Sequence, residues 1–140
     1  MTNTPPALAL PRSFWQAAKR GSLGRCPRCG EGKLFRAFLK PHDRCACCAL
    51  DWTPQRADDF PAYVSILITG HVITPLAMFL VLGTEMGTGG ITAIVLPLAA
   101  ALMLGTLQPA KGGIIAMQWW NGMHGFVRER PAVQTALHTI

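Results

Sequence analysis

Five cysteines fall within one short stretch of the 140-residue chain, and their spacing is that of a metal site. Cys26-Pro-Arg-Cys29 and Cys45-Ala-Cys-Cys48 are two CxxC pairs separated by fifteen residues, the arrangement of a zinc ribbon. Each pair makes a tight turn that presents two thiolates, and four sulfurs close a tetrahedron around one structural Zn2+. Gly30 relieves crowding after the first turn, whereas Ala49 stands at the corresponding place after the second. Cys47 complicates the ligand set, because Cys45 can pair with either Cys47 or Cys48. Register with the first pair favours Cys26, Cys29, Cys45 and Cys48 as ligands. Cys47 is then a spare thiol open to oxidation, and His42 a weaker substitute ligand. An odd cysteine count and a reducing compartment disfavour disulfides. A thioredoxin-like role wants one reactive CxxC in a βαβ pattern, which this segment lacks. The rival to a closed structural site is a catalytic or metal-relay centre.

Further along, Asp58 and Asp59 precede a long apolar run. Capping that run against its helix dipole is the simpler reading, and partner contact or metal ligation the other. His71 is the only ionisable side chain between Tyr63 and Leu82, and an ionisable group at such depth is a functional candidate by default. The plainer account has its neutral imidazole bonding across to a second helix or to a carbonyl freed by Pro75, and a homodimer would pair two copies of it. Gln108 and Lys111 close a second apolar run, with Lys111 placed to snorkel to phosphate. His124 near the tail suits an interface better than a ligand set.

Composition says which elements must position these residues. Half of the chain is apolar and 14% is charged, well below the quarter or so usual for soluble domains. Tyr63 to Leu82 is twenty residues without a charge, enough to cross a hydrocarbon core of about 30 Å. A glycine-rich turn, 83–90, leads to a second uncharged run from about 90 to 107, and Pro75 and Pro97 are expected to kink the two spans. A buried soluble pair would need another core to cover both runs, and 140 residues do not supply one.

The expected fold is therefore an all-α membrane hairpin of two transmembrane helices, with a small N-terminal cytoplasmic zinc ribbon and a C-terminal interfacial amphipathic helix. The divisions are a basic N-terminal segment at 1–22, the ribbon at 23–56, the hairpin at 57–110, and the interfacial helix and tail at 111–140. In the first, Ser13 caps a short helix that sets Phe14 and Trp15 in the headgroup layer and Lys19 and Arg20 on phosphates, with a disordered basic tail as the alternative. In the last, Gly112 to Phe126 places Ile115, Trp119, Met123 and Phe126 on one face and Lys111, Gln118 and Asn121 on another. The three glycines Gly113, Gly122 and Gly125 count against that helix.

The net charge of +6 points to anionic lipid before nucleic acid, because the basic segment adjoins the hydrophobic spans. No secretory signal is expected at the N-terminus. No nucleophile with a base, phosphate loop or paired carboxylate in a pocket is visible, which favours a non-enzymatic role. The rivals are a copper or haem relay using Cys47, His71 and the methionines, and a membrane-tethered ribbon that binds nucleic acid.

Taken together, Cys26-Pro-Arg-Cys-Gly-Glu-Gly-Lys-Leu-Phe-Arg-Ala-Phe-Leu39, Cys45 to Cys48 with Leu50-Asp51, Asp58-Asp59 with Pro61-Ala62-Tyr63, Gly70-His71, and Gln108-Pro-Ala-Lys111 with Gln118-Trp119 resemble one bacterial family. It is number nine hundred and eighty-three among the domains of unknown function, and the likeness runs over roughly residues 20 to 126. Phe60 stands where that family often has glycine, and Cys47 and Ala49 alter the second turn. The resemblance implies a multi-pass protein of the bacterial inner membrane. In proteobacteria such genes often lie among those for cytochrome c oxidase subunits and assembly factors, which implies an accessory role in oxidase biogenesis. The expected partners are the bilayer and either another membrane protein or further copies of the chain.

Residues 1 to 62 hold ten of the thirteen Lys and Arg and residues 63 to 107 none, so both termini are expected in the cytoplasm. A reporter active only in the periplasm should therefore work when fused near Gly87 and stay silent at Ile140. The reverse pattern would put the cysteines in an oxidising compartment.

Overall fold

A computed structural model describes residues 10–128. The outer parts of the two terminal segments, 1–9 and 129–140, lie outside the described residues. Ser13 opens helix α1 (Phe14–Ser22), its hydroxyl accepting from the Gln16 N–H at 3.3 Å, and Lys19 and Arg20 complement the dipole in the last turn. After the cysteine-bearing turns, strands β1 (Phe35–Ala37) and β2 (Lys40–Pro41) form a small antiparallel hairpin whose tip carries Leu39 at φ 60°.

Two long helices follow. Helix α2 (Phe60–Gly83) has Pro61 in its first turn, where a missing N–H costs nothing. Asp59 is its N-cap residue, yet its side chain makes no capping hydrogen bond; the expected side-chain cap is absent and the backbone carbonyl accepts instead from Ala62 and Tyr63. Helix α3 (Thr88–Asn121) is joined to it by four residues, so the pair is antiparallel. At 24 and 34 residues the helices are about 36 and 51 Å long. Both are long and apolar enough to cross a membrane, with mean hydropathy of 2.0 and 2.1 over their most apolar stretches. Those stretches are almost wholly uncovered by the rest of the chain, unlike the core helix of a soluble protein. Between them, the Ser65 hydroxyl donates to the Met103 carbonyl at 2.7 Å and lies 2.6 Å from the Thr106 hydroxyl.

The expected separate interfacial helix after Pro109 does not exist. Helix α3 continues without a break through Pro109 to Asn121. A proline removes one backbone hydrogen bond, and here packing outweighs that loss: Ile114, Ile115, Ala116 and Trp119 are buried beneath α1 and the cysteine head. The helix ends instead at Gly122, at φ 66°, where Gly122 N–H bonds Trp119 O and Met123 N–H bonds Gln118 O, the paired pattern of a Schellman stop. The expected apolar face is kept at three of its four residues. Ile115, Trp119 and Phe126 join the core of the head, while Met123 lies past the helix end and is exposed. The reversal returns Phe126 to Trp52, edge to face at 5.9 Å between ring centroids.

Helix α1 crosses α3 at a point of backbone contact. A Cβ on Gly112 would overlap the carbonyl of Gly21, and a Cβ on Gly21 would overlap that of Gly112. Only glycine on both sides allows the approach that seals Ala17 into the core. Gly112→Val should therefore destabilise the head by about 3 kcal/mol, as overpacking does at a rigid contact. Denaturant unfolding followed by tryptophan fluorescence reads the change; an unaltered midpoint would mean the two helices are not packed in this way.

Candidate metal centre

The two cysteine pairs sit in similar turns, the second one residue shorter. In the first turn Gly30 N–H bonds Cys26 O at 2.8 Å and Cys26 N–H bonds Gly32 O at 2.7 Å; in the second, Ala49 N–H bonds Cys45 O and Cys45 N–H bonds Leu50 O, both at 3.0 Å. Isolated bridges Arg25 to Lys33 and Arg44 to Asp51 close the base of each turn. The two turns demand a left-handed residue at equivalent places, met by Gly30 at φ 76° and by Ala49 at φ 56°. Gly32 is required for another reason, since a Cβ there would overlap the Cys45 sulfur.

The turns bring four sulfurs together. The Sγ atoms of Cys26, Cys29, Cys45 and Cys48 all lie within 4.8 Å of one another, with Cys26 to Cys48 and Cys29 to Cys45 both at 3.7 Å. A tetrahedral site with metal–sulfur bonds of about 2.3 Å has edges of about 3.8 Å, so the spacing of the four is compatible with one zinc ion. Electrostatics point the same way. Burial pushes the Cys26 and Cys48 thiols up, because thiolates in a small apolar head have no water to solvate them. Burial acts on Cys29 as well, but backbone N–H groups of Gly32 and Glu31 hydrogen-bond its sulfur, and its pKa falls to about 7. Such a cluster ionises fully only around a cation.

Other sequence candidates take different places. Cys47 is exposed and outside the cluster; His42 is half-buried and also outside it, its backbone N–H bonding the Leu34 carbonyl. Asp58 (φ 40°) and His124 (φ 55°) are exposed residues in left-handed turns, and Asp58 and Asp59 join no metal-sized group among the described residues. The expected reach of His71 to the second helix is not made: Nδ1 bonds the Leu67 carbonyl one turn back on its own helix, at 2.8 Å, and the ring is exposed. The contact across the hairpin comes from Ser65 and Thr106 instead.

Two further expectations are corrected. Lys111 does not snorkel to phosphate; its Nζ donates to the Leu39 carbonyl at 2.8 Å, while the Gln108 side-chain oxygen accepts from Leu39 N–H at 3.3 Å. The pair grips the tip of the β hairpin from both sides of one residue. Arg20 likewise turns inward, donating to the Pro27 and Arg28 carbonyls behind the first cysteine turn. Gln118 was foreseen only as part of a polar face. Nine-tenths buried or more, it brackets Arg56 by accepting from its N–H at 3.0 Å and donating to its carbonyl at 2.5 Å. A glutamine among Ile114, Ile115 and Trp119 was the signal, since a buried amide must find partners.

Serine at Cys26, Cys29, Cys45 or Cys48 should release the metal on dialysis, and serine at Cys47 should retain it. Ala49→Gly should stabilise the loaded head by about 1 kcal/mol by relieving the left-handed alanine. Metal content and the denaturation midpoint report both; loss of metal from the Cys47 variant would overturn the ligand set.

Neither the curated proteins nor the solved structures hold a match to the chain. A family described as a protein of unknown function (DUF983) matches residues 35–119, which takes in the second cysteine turn, both long helices and the Gln108, Lys111 and Gln118 clamps. The first cysteine turn precedes the matched residues. Because the match covers more than half of its length, the chain belongs to the DUF983 family.

Proposed function

We propose that the chain is a non-enzymatic accessory protein of the bacterial inner membrane, in which a zinc-bound head is mounted on a two-span hairpin as a docking module. The observation that carries this reading is the closed set of four converging thiols. Four thiolates fill a tetrahedral zinc site and leave no position for substrate or activated water, which is the mark of a structural rather than a catalytic ion. Bound there, zinc would cross-link the two turns and supply folding free energy that so small a head lacks. The basic residues concentrated before the first span favour a cytoplasmic head, and the uncovered apolar faces of α2 and α3 favour lipid around them.

Support for respiratory oxidase assembly as the process served comes from the family resemblance alone. The experiment is gentle detergent purification from native membranes, with metal analysis and identification of co-purifying proteins, for the wild type and for Cys45→Ser. The expected result is one zinc per chain, no copper or haem, and a membrane-protein partner that the Cys45 variant loses while still inserted. In a deletion strain, oxidase level should fall and return with the wild type only. Copper or haem in stoichiometric amount would favour a relay, and an unchanged oxidase level would detach the protein from that process.

A further inference from the structure

Helix α2 carries two pairs of small residues four apart, on different faces. Ser65 and Thr69 are buried against α3, where Ser65 makes the interhelical hydrogen bonds. Gly70 and Thr74 form the second pair on the uncovered side, flanking His71. A Cβ at Gly70 would meet nothing within 4 Å, so no contact inside the chain requires glycine at this point, although glycine weakens a helix interior.

Three polar groups are left open on the same face. The bond from Nδ1 to the Leu67 carbonyl requires a proton on Nδ1, which in the neutral ring leaves Nε2 as an acceptor without a partner among the described residues. The Thr74 hydroxyl makes no hydrogen bond among the described residues, whereas those of Thr84, Thr92 and Thr106 each bond the carbonyl four residues back. Pro75 has no N–H to give the carbonyl of His71. His71 lies at the middle of the 24-residue helix, so in a bilayer these groups sit at the depth where water is scarcest.

Resting on the membrane reading above, we propose that this face is the interface between two copies of the chain, His71 Nε2 of each copy accepting a hydrogen bond from the Thr74 hydroxyl of the other. A second copy is favoured because the patch is self-complementary. It offers one acceptor and one donor a helical turn apart, and copies inserted in the same orientation can be related by a two-fold axis along the membrane normal, which makes the contact reciprocal. Gly70 lets the backbones approach as small residues do in membrane helix pairs.

The test uses full-length, metal-loaded protein fused at its N-terminus to donor or acceptor fluorescent proteins, reconstituted in phosphatidylethanolamine and phosphatidylglycerol vesicles. Energy transfer that saturates with protein density is expected for the wild type. Gly70→Leu should abolish it without harming the monomer, since the position is open. Thr74→Val and His71→Leu should each weaken association roughly tenfold, the loss of two modest interhelical hydrogen bonds. Leu96→Ala on α3 should change nothing. Carbonate extraction separates the two readings: protein that resists extraction yet shows no transfer, or transfer indifferent to Gly70→Leu, overturns the dimer alone. Protein washed from the membrane overturns both. Haem or metal bound at His71, or a different protein seated on this face, also overturns it.

Discussion

The head cannot close on itself, and the C-terminal extension of α3 supplies what it lacks. A unit of about 34 residues buries too little apolar surface to fold unaided, and domains below about 40 residues usually need a metal, a disulfide or a partner surface. Helix α3 provides the surface. Ile114, Ile115 and Trp119 cover the core, and Gln108, Lys111 and Gln118 satisfy backbone groups of Leu39 and Arg56 that the two short strands leave unpaired. Remove one clamp and a part-buried N–H or carbonyl loses its partner, at a cost of about 1 kcal/mol. The apolar hairpin and the cysteine head thus share one rigid rod, and the orientation of the head follows from the helix that carries it.

The cysteine centre is the second support. Its four sulfurs are brought within 4.8 Å of one another by two similar turns, and burial alone would keep the Cys26 and Cys48 thiols protonated. A divalent cation reverses that preference by compensating the negative charge. Arg28 reaches from the first turn to the Cys48 carbonyl at 3.2 Å, and Arg20 of α1 holds the back of the first turn, so protein contacts tie the turns to each other and to α1. A metal ion held there, α1 and α3 would therefore stabilise one another.

Much of this was legible in the amino-acid sequence, and the limits have physical causes. The CxxC spacing and the uncharged runs are local patterns, so the convergence of Cys26, Cys29, Cys45 and Cys48 and the two apolar helices could be read directly. Ala49 was visible as an anomaly, and its φ of 56° explains why glycine was expected there. Long-range pairings were not legible. Nothing near Lys111 in sequence says that it will meet Leu39, 72 residues away, rather than a phosphate. Gly113, Gly122 and Gly125 were taken as weak points of a helix, while Gly112, the contact that admits α1, drew no notice. The hairpin was expected to end at about residue 110, because the tertiary packing that carries α3 past Pro109 depends on residues from distant segments.

The claim that head and hairpin form one body through α3 is tested most directly by amide hydrogen exchange on the intact protein with and without a chelator. In the metal-loaded state, amides of Ile114 to Trp119 should be as protected as those of the apolar part of the same helix. Stripping the metal should abolish protection in the extension and leave the segment from Ile91 to Leu107 unchanged. Protection of the extension that survives metal removal, or that is absent while the metal is bound, would contradict the account.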